Sequence, residues 1–167
     1  MTVVHMPPRA GPAPGGDDRA AEDPVPHDLP AEQAVLGGMV LDPSVVVKVV
    51  ATRLEAGHFY RSAHGALFDH LLGMFAHDEP IDALTVRSSL DEHGWPPGTD
   101  PLYLVTLIEV VPTAANAPHY ARTVLRHARR RGALAANARA AQGLRGPEVS
   151  EREVAQRYAA DMAALPG

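Results

Sequence analysis

Apolar positions along the chain come in short runs separated by Pro, Gly and acidic residues, and the first run admits two interpretations. It covers residues 32–43, EQAVLGGMVLDP. A Gly-Gly pair between apolar runs is a typical signal of a tight β-hairpin, because glycine adopts φ > 0 at both turn positions. Alternatively, the run is one buried helix whose glycines, Gly37 and Gly38, let another backbone come close.

The helix is the favoured interpretation. Each arm of a hairpin would have only three or four residues and no apolar/polar alternation. A helix can begin near Asp28 or Leu29, with Pro30 tolerated in the first turn and Glu32 near the positive end of the dipole. Beyond Gln33, apolar residues surround the axis, as in a helix that is buried on all sides. The two glycines cost about 1 kcal/mol each relative to alanine, a cost that close helix packing explains.

The next segment carries conflicting signals. Asp42-Pro43 is a cap followed by proline at the first helical position, which predicts a second helix that runs to about Leu54. The valine run in this segment prefers strand by propensity. A lone strand would have no obvious partner in this chain, so we predict a helix.

Five further helices are predicted from capping residues and from apolar positions at helical spacing. Their expected starts are Ser62, Asp82, Asp100-Pro101, Asn116 with Pro118, and the capping box of Ser150 and Glu153. The sixth helix is long and reaches about Leu144 before Gly146-Pro147 breaks the chain. The chain is therefore predicted to be all-α, with its last two helices forming an antiparallel hairpin.

The faces of this hairpin are crowded with alanine, and small residues let helix axes approach closely. A protruding hairpin of this kind often pairs with a copy of itself. We expect the self-association surface within residues 134–165. The candidate residues are Leu134, Ala138, Ala141, Val154, Tyr158 and Met162. The sequence leaves open the alternative that the hairpin folds back on its own domain.

Composition restricts the class of protein. The chain of 167 residues has no cysteine, no signal-peptide pattern and no apolar run near the ~20 residues of a membrane span, so we expect a soluble cytoplasmic protein without disulfides. Residues 1–26 are rich in proline and poor in large apolar side chains, which predicts a disordered tail. The single lysine, Lys48, follows no glycines, so the sequence has no phosphate-binding P-loop.

The arginines are candidates for nucleic-acid contacts, and the histidines are candidates for metal ligands. No acidic residue lies between Arg122 and Arg145, and the net charge of the whole chain is -5. The candidate nucleic-acid contacts are Arg122, Arg126, Arg129 and Arg130. The alternative is a solvated helix face whose charge is offset by acids on the last helix. His70 and His77 lack metal-ligand spacing, and His64 is interpreted as a hydrogen-bonded core histidine. We predict no catalytic residue, cofactor or metal.

Three stretches together resemble the N-terminal domain of bacterial DnaB-type replicative helicases. The first is AEQAVLGGMVLD at 31–42. The second comprises His58-Phe59-Tyr60, His64, Leu67-Phe68, Pro80-Ile81-Asp82, Thr85 and Leu90. The third comprises Tyr103-Leu104, Leu107, VPTAAN at 111–116, Tyr120-Ala121 and Val124. The resemblance extends over residues from about 27 to 165, and the order and spacing of the three blocks make it specific.

The resemblance implies a small globular helical bundle followed by a long antiparallel helical hairpin. The bundle domain would span 27–145 and the hairpin 114–165, overlapping the domain's last helix, with 166–167 as the C-terminal end. Phe59, Tyr60, Leu67 and Phe68 are expected in the core. In that family the hairpins pair to build the collar of a hexameric ring, and the collar receives the C-terminal domain of primase.

The resemblance also implies that ATP hydrolysis and unwinding belong to a RecA-like domain that this chain lacks. Either the chain is a stand-alone copy of the collar domain, or it is a fragment of a complete helicase. Two features depart from the family pattern: Arg126 stands where an acidic residue is usual, and Gly132 is expected to interrupt the helix. Pairing surfaces that depend on charge are expected to differ accordingly.

Two functions from different classes follow. The first is a non-catalytic interaction module of DNA replication. It would associate with itself as a dimer or higher ring-like oligomer and dock the primase C-terminal domain or the full-length replicative helicase. A stand-alone copy could also mix into the collar of a helicase ring. The alternative is a nucleic-acid-binding module that uses the arginine-rich helix 122–145.

Overall fold

Seven α-helices make up the regular structure of the part of the chain that the computed structural model describes, residues 25–146 and 148–166. They are α1 Leu29–Leu41, α2 Val45–Val50, α3 Ser62–Ala76, α4 Ala83–His93, α5 Pro101–Glu109, α6 Ala117–Arg145 and α7 Glu151–Ala163. Two short 3₁₀ helices, Ala56–His58 and Ala114–Asn116, join α2 to α3 and α5 to α6. The all-α prediction is confirmed. The predicted disordered tail, except Val25 and Pro26, lies outside the described residues.

The stretch with two interpretations is a helix at the centre of the fold. Asp28 caps α1 by accepting a hydrogen bond from the Ala31 N–H at 2.9 Å, as the sequence predicted. Nearly every residue from Ala31 to Val40 is buried, so the helix has no solvent-facing side over that length. Helices α2, α3, α4, α5 and α6 all pack on α1. It is therefore the element around which the rest of the bundle is arranged.

The two glycines of α1 lie where neighbouring helices come closest. A Cβ at Gly37 would overlap the carbonyl oxygen of Leu107 in α5. A Cβ at Gly38 would come within 2.9 Å of the Ala117 Cβ at the start of α6. The prediction that these glycines permit close helix packing is confirmed, and a larger side chain at Gly37 would push α5 away.

Helix α2 is shorter than predicted at both ends. Asp42 is the C-cap of α1, and its carboxylate accepts the Ser44 N–H at 3.0 Å, which folds Pro43 and Ser44 into a turn before the helix. The helix ends at Val50 rather than near Leu54, since Arg53 takes a positive φ of 62°. The valine run is nevertheless helical, as predicted.

The other helix starts follow their predicted caps, with two differences. Asp82 and Asp100 cap α4 and α5 through their carboxylates. Ser62 is the first residue of α3 rather than its cap. Ser150 accepts the Glu153 N–H at 3.3 Å, but the Glu153 carboxylate bonds to Arg157, so only half of the predicted capping box forms.

The core lies between α1 and the helices around it, and α6 extends out of it. Phe59, Leu67 and Phe68 are buried as expected. Tyr60 is not a core residue, because 45% of its surface is exposed. The buried residues of α6 lie mainly in its first half, against α1 and α2, and its second half packs on α7. The arrangement confirms a globular bundle followed by a helical hairpin. None of the described helices meets the length and hydropathy needed to cross a bilayer.

The close approach at Gly37 generates a stability prediction. Gly37→Ala should lower the free energy of unfolding by about 3 kcal/mol, since the added methyl must displace backbone atoms of α5 rather than a flexible side chain. The measurement is a urea unfolding curve monitored by circular dichroism.

The matched control is Gly73→Ala in α3, where a Cβ meets nothing within 4 Å. This substitution should raise the free energy of unfolding by about 0.5–1 kcal/mol, because alanine loses less backbone entropy on folding. Equal effects of the two substitutions would contradict the packing argument.

Candidate interaction surfaces

The inner face of the hairpin is made by small residues of α6 opposite larger residues of α7. Val154 is buried, and a Cβ at Gly143 would lie 3.0 Å from its Cγ2 atom. At the other end of α7, a Cβ at Gly132 would overlap Leu165. The expectation that Gly132 interrupts the helix is wrong, because α6 runs unbroken through it. Gly132 instead provides the space into which Leu165 fits.

Two ion pairs lie on the solvent side of the hairpin, and one of them joins its two helices. Both Nε and Nη2 of Arg139 in α6 donate to one carboxylate oxygen of Asp161 in α7, at 3.1 and 2.9 Å. Within α7, Arg157 donates to Glu153 at 2.6 Å. All four groups are substantially exposed, so each pair contributes no more than about 1 kcal/mol. The Arg139–Asp161 pair therefore helps to set the register of the two helices, while the Arg157–Glu153 pair acts within α7.

The six candidate self-association residues fall on two different surfaces. Leu134, Ala138 and Ala141 are exposed and share one stripe of α6. This stripe points away from α7, because Ala136, which is buried against α7, lies two residues, or about 200°, further round the helix. The three α7 residues are Val154, which is buried between the helices, and Tyr158 and Met162, which are half-buried.

A groove of about 350 Å³ runs between α6 and α7 beside the buried Val154. Its apolar lining residues are Ala136, Ala140, Gly143, Val149, Val154, Tyr158 and Ala160. Because most of them are small, the groove is shallow and open along the helices. A large apolar side chain from another molecule would find matching space there.

The four candidate arginines lie together on the solvent face of α6. Arg122, Arg126, Arg129 and Arg130 are all exposed. The first three border a groove of about 380 Å³ with Thr52 and Pro166. Among the described residues, no acid of α7 forms an ion pair with these four arginines; Asp161 and Glu153 pair instead with Arg139 and Arg157.

Arg131 differs from these arginines because it points toward the bundle. It donates hydrogen bonds to the carbonyl oxygens of Pro26 at 2.9 Å and His58 at 2.5 Å. Its guanidinium also lies 5.8 Å from the centre of the Tyr60 ring, on which His27 stacks at 4.3 Å. Burial lowers the pKa of Arg131. This side chain therefore ties the chain before α1 to the middle of α6.

A buried polar network joins α1, α3 and α5. Glu32 and His64 are 1% and 0% exposed, and the Glu32 carboxylate lies 2.7 Å from the His64 Nδ1. The same carboxylate accepts the backbone N–H groups of Tyr60 and Arg61 at 2.6 and 3.4 Å, and so anchors the residues that precede α3 to α1. On its other side, the His64 Nε2 lies 2.5 Å from the Tyr103 hydroxyl.

The donors around the Tyr103 hydroxyl determine the tautomer of His64. Gln33 and Arg61 both donate to the Tyr103 oxygen, at 3.2 and 3.1 Å. They occupy both of its acceptor positions, so the hydroxyl hydrogen points to the His64 Nε2. The His64 Nδ1 then carries its own hydrogen and donates it to Glu32. The buried carboxylate of Glu32 is thereby linked through the His64 ring and the Tyr103 hydroxyl to the guanidinium of Arg61.

This network confirms the interpretation of His64 as a hydrogen-bonded core histidine and adds what sequence reasoning missed. The sequence predicts only that Glu32 lies near the positive end of the helix dipole, whereas in the structure it bonds to His64 and to the residues before α3. Its spacing gave a usable signal, because Glu32 precedes Val35, Leu36 and Met39 at the i+3, i+4 and i+7 positions of a buried face. A carboxylate in that register needs buried donors.

The remaining histidines of the described residues form no arrangement that suggests chemistry. His70 faces His93 with ring centroids 6.1 Å apart, and His77 bonds to the Gly73 carbonyl oxygen. Burial lowers the pKa of His70. Among the described residues, no three His, Asp or Glu side chains are placed to hold one metal ion.

Comparison with known proteins gives a consistent family. A model of the DnaB-like helicase N-terminal domain matches residues 24–126. The replicative DNA helicase DnaB of Mycobacterium leprae (strain TN) is 44% identical over 132 residues, which cover 75% of this chain and 22% of that protein. The DnaB of Leifsonia xyli subsp. xyli is 38% identical over 148 residues, which cover 85% of this chain and 31% of that protein. The chain therefore spans less than a third of these relatives.

Solved structures agree with this comparison. The crystal structure of the N-terminal domain of DnaB helicase from Mycobacterium tuberculosis superposes with a TM-score of 0.74 at 40% identity, covering 83% of this chain and 97% of that one. A DnaB-like replicative helicase, described with its interactions with primase, superposes with a TM-score of 0.61 at 17% identity. It covers 83% of this chain and 31% of that chain, and at this identity it supports the fold alone.

The buried network generates a second prediction. Tyr103→Phe removes the hydroxyl that satisfies the His64 Nε2 and should lower the free energy of unfolding by about 1–3 kcal/mol, because a buried ring nitrogen loses its partner. The matched control is Tyr120→Phe, whose ring packs on the same core but whose hydroxyl lies outside the network. Denaturant unfolding would measure both, and an equal loss for the two variants would contradict the assigned role of Tyr103.

Proposed function

The chain belongs to the family of DnaB-like helicase N-terminal domains, and from this membership we propose that it is a non-catalytic interaction module of DNA replication. It associates with copies of itself and docks other replication proteins. The observation that carries the proposal is the hairpin, which continues α6 beyond the bundle and leaves an apolar stripe and a groove of small residues open to a partner.

The hairpin is the proposed self-association surface. Leu134, on the outer stripe of α6, is 55% exposed, and Leu144 is 60% exposed. Such side chains are costly to leave in water and match the groove beside Gly143 in size. Two copies related by a twofold axis would each offer leucines and a groove, which is the self-complementarity that symmetric pairing requires.

The proposed partners beyond self are the C-terminal domain of primase and the full-length replicative helicase. One structural neighbour is described in terms of its interactions with primase, and the named relatives are replicative helicases. In such a helicase, this domain would take its place in the collar of the ring. We propose that the protein acts by binding these replication proteins in the cytoplasm.

Self-association has a direct test in solution. Ala138→Glu with Ala141→Glu places two carboxylates on the exposed stripe of α6, where pairing would desolvate them and bring like charges together. The double variant should be a monomer at concentrations at which the unmodified chain is a dimer or larger. Multi-angle light scattering and sedimentation velocity measure the mass.

The control variant carries the same charge change on α4, at exposed Ala83 and Ser88. It should keep the mass of the unmodified chain. A strict monomer for the unmodified chain at high concentration would count against self-association, and dissociation of the α4 variant would count against the hairpin as its site.

Docking is tested separately by mixing. The chain is combined with the cognate primase C-terminal domain, and in a second experiment with the full-length helicase, and complexes are detected by native mass spectrometry. A mixed complex with the helicase would support entry into its collar. Absence of both complexes would leave self-association standing and remove the docking part of the proposal.

The second candidate function is nucleic-acid binding, which the cluster of exposed arginines on α6 favours. Phosphate contacts release counterions, so single-stranded DNA binding should weaken steeply with salt. Arg129→Glu with Arg130→Glu should abolish it, while Arg87→Glu on α4, an exposed arginine outside the cluster, should not. Salt-independent binding, or binding unaffected by the double variant, would exclude this function for α6.

A further inference from the structure

The arginine face of α6 lies next to the place where the N-terminal tail joins the bundle. Arg122, Arg126, Arg129 and Arg130 lie within about 100° of one another around the helix. In the described part of the chain, the ion pairs formed by arginines are those of Arg87, Arg139 and Arg157, all elsewhere. Four positive charges thus lie on one exposed surface, a costly concentration of like charge that an anionic group would relieve.

The last residues of the tail are held against the same helix. Arg131 binds the Pro26 carbonyl oxygen at 2.9 Å, and His27 stacks on Tyr60. Arg126 and Asp28 border one groove on the other side of this point. The described residues just before α1 therefore lie against α6, held by Arg131 and close to Arg126.

The tail carries its negative charge close to this point. Residues 17–23, DDRAAED, contain four carboxylates and one arginine. Asp23 is three residues before Pro26 and can reach about 10 Å from it, and Asp17 can reach about 30 Å. The step along α6 from residue 131 to residue 126 is only about 8 Å. The acidic segment is thus tethered within reach of all four arginines.

We propose that the acidic segment 17–23 of the tail docks on the arginine face of α6 in the same molecule. The carboxylates of Asp17, Asp18, Glu22 and Asp23 then pair with Arg122, Arg126, Arg129 and Arg130. Because the tether keeps the segment at high local concentration, it occupies the face ahead of anions from solution. The segment is a built-in competitor for any anionic partner. This inference is independent of self-association through the hairpin.

The test introduces two cysteines as labelling sites. Because the chain has no cysteine of its own, spin labels attach only at these two positions. Nitroxides are attached to Ala20→Cys in the acidic segment and Asn137→Cys, an exposed position on the same side of α6 as Arg126. Double electron–electron resonance gives the distance distribution between them. The doubly labelled chain is diluted with excess unlabelled chain so that only distances within one molecule are measured.

At low salt the proposal expects a narrow distance peak that is lost at 1 M NaCl, where the Debye length falls to about 3 Å. The peak should also be lost when the four tail acids are changed to amides, and when Arg126, Arg129 and Arg130 are changed to Gln. Changing Arg87 and Arg157 to Gln is the control and should leave the peak intact.

Three results would overturn the proposal. The first is a broad distribution at low salt, which means that the segment is not docked. The second is a narrow peak that survives 1 M NaCl or either set of neutralising substitutions, which means that charge pairing does not hold the segment. The third is a peak that appears only without dilution, which means that the segment docks on another copy. None of these readouts depends on whether the hairpin self-associates.

Discussion

The close approach of backbones at Gly37 and Gly38 is the constraint on which the bundle depends. Because neither residue has a side chain, α5 and the start of α6 lie directly against α1. This proximity surrounds α1 with helices, so that an almost wholly apolar sequence can be a single short helix with no exposed side. The entropy cost of two helical glycines is offset by the packing that they allow on two neighbours.

One fully buried polar residue, Glu32, interrupts this apolar helix, and the fold supplies a partner for each of its oxygens. Glu32 accepts the N–H groups that precede α3 and the proton of His64, and Tyr103 of α5 completes the other side of the imidazole. Three helices thereby meet through directional bonds as well as through packing. Apolar contacts alone tolerate small rotations of one helix on another, whereas a satisfied buried network permits only one arrangement.

Local chemistry in the sequence was sufficient for the helix count and most helix starts, because caps such as Asp82 and Asp100 act within four residues of themselves. Predictions that depended on distant neighbours were less successful. Ser62 does not cap α3, because it is already the first residue of that helix, and the preceding N–H groups of Tyr60 and Arg61 are held by Glu32 from another helix. Tyr60 is partly exposed, and its partners are the distant residues His27, before α1, and Arg131, in the middle of α6. Likewise, Gly132 was predicted to break a helix that the fit of Leu165 allows to continue.

Helix α6 belongs to both the bundle and the hairpin, and its 29 residues extend about 44 Å without a break. A continuous helix of that length acts mechanically as a lever arm. Any torque on its far end is delivered to α1 and α2, because the axis has no hinge at which to absorb it. A partner that binds the hairpin therefore also sets the orientation of the bundle. A rotation of a few degrees at one end of α6 becomes a displacement of several ångströms at the other end.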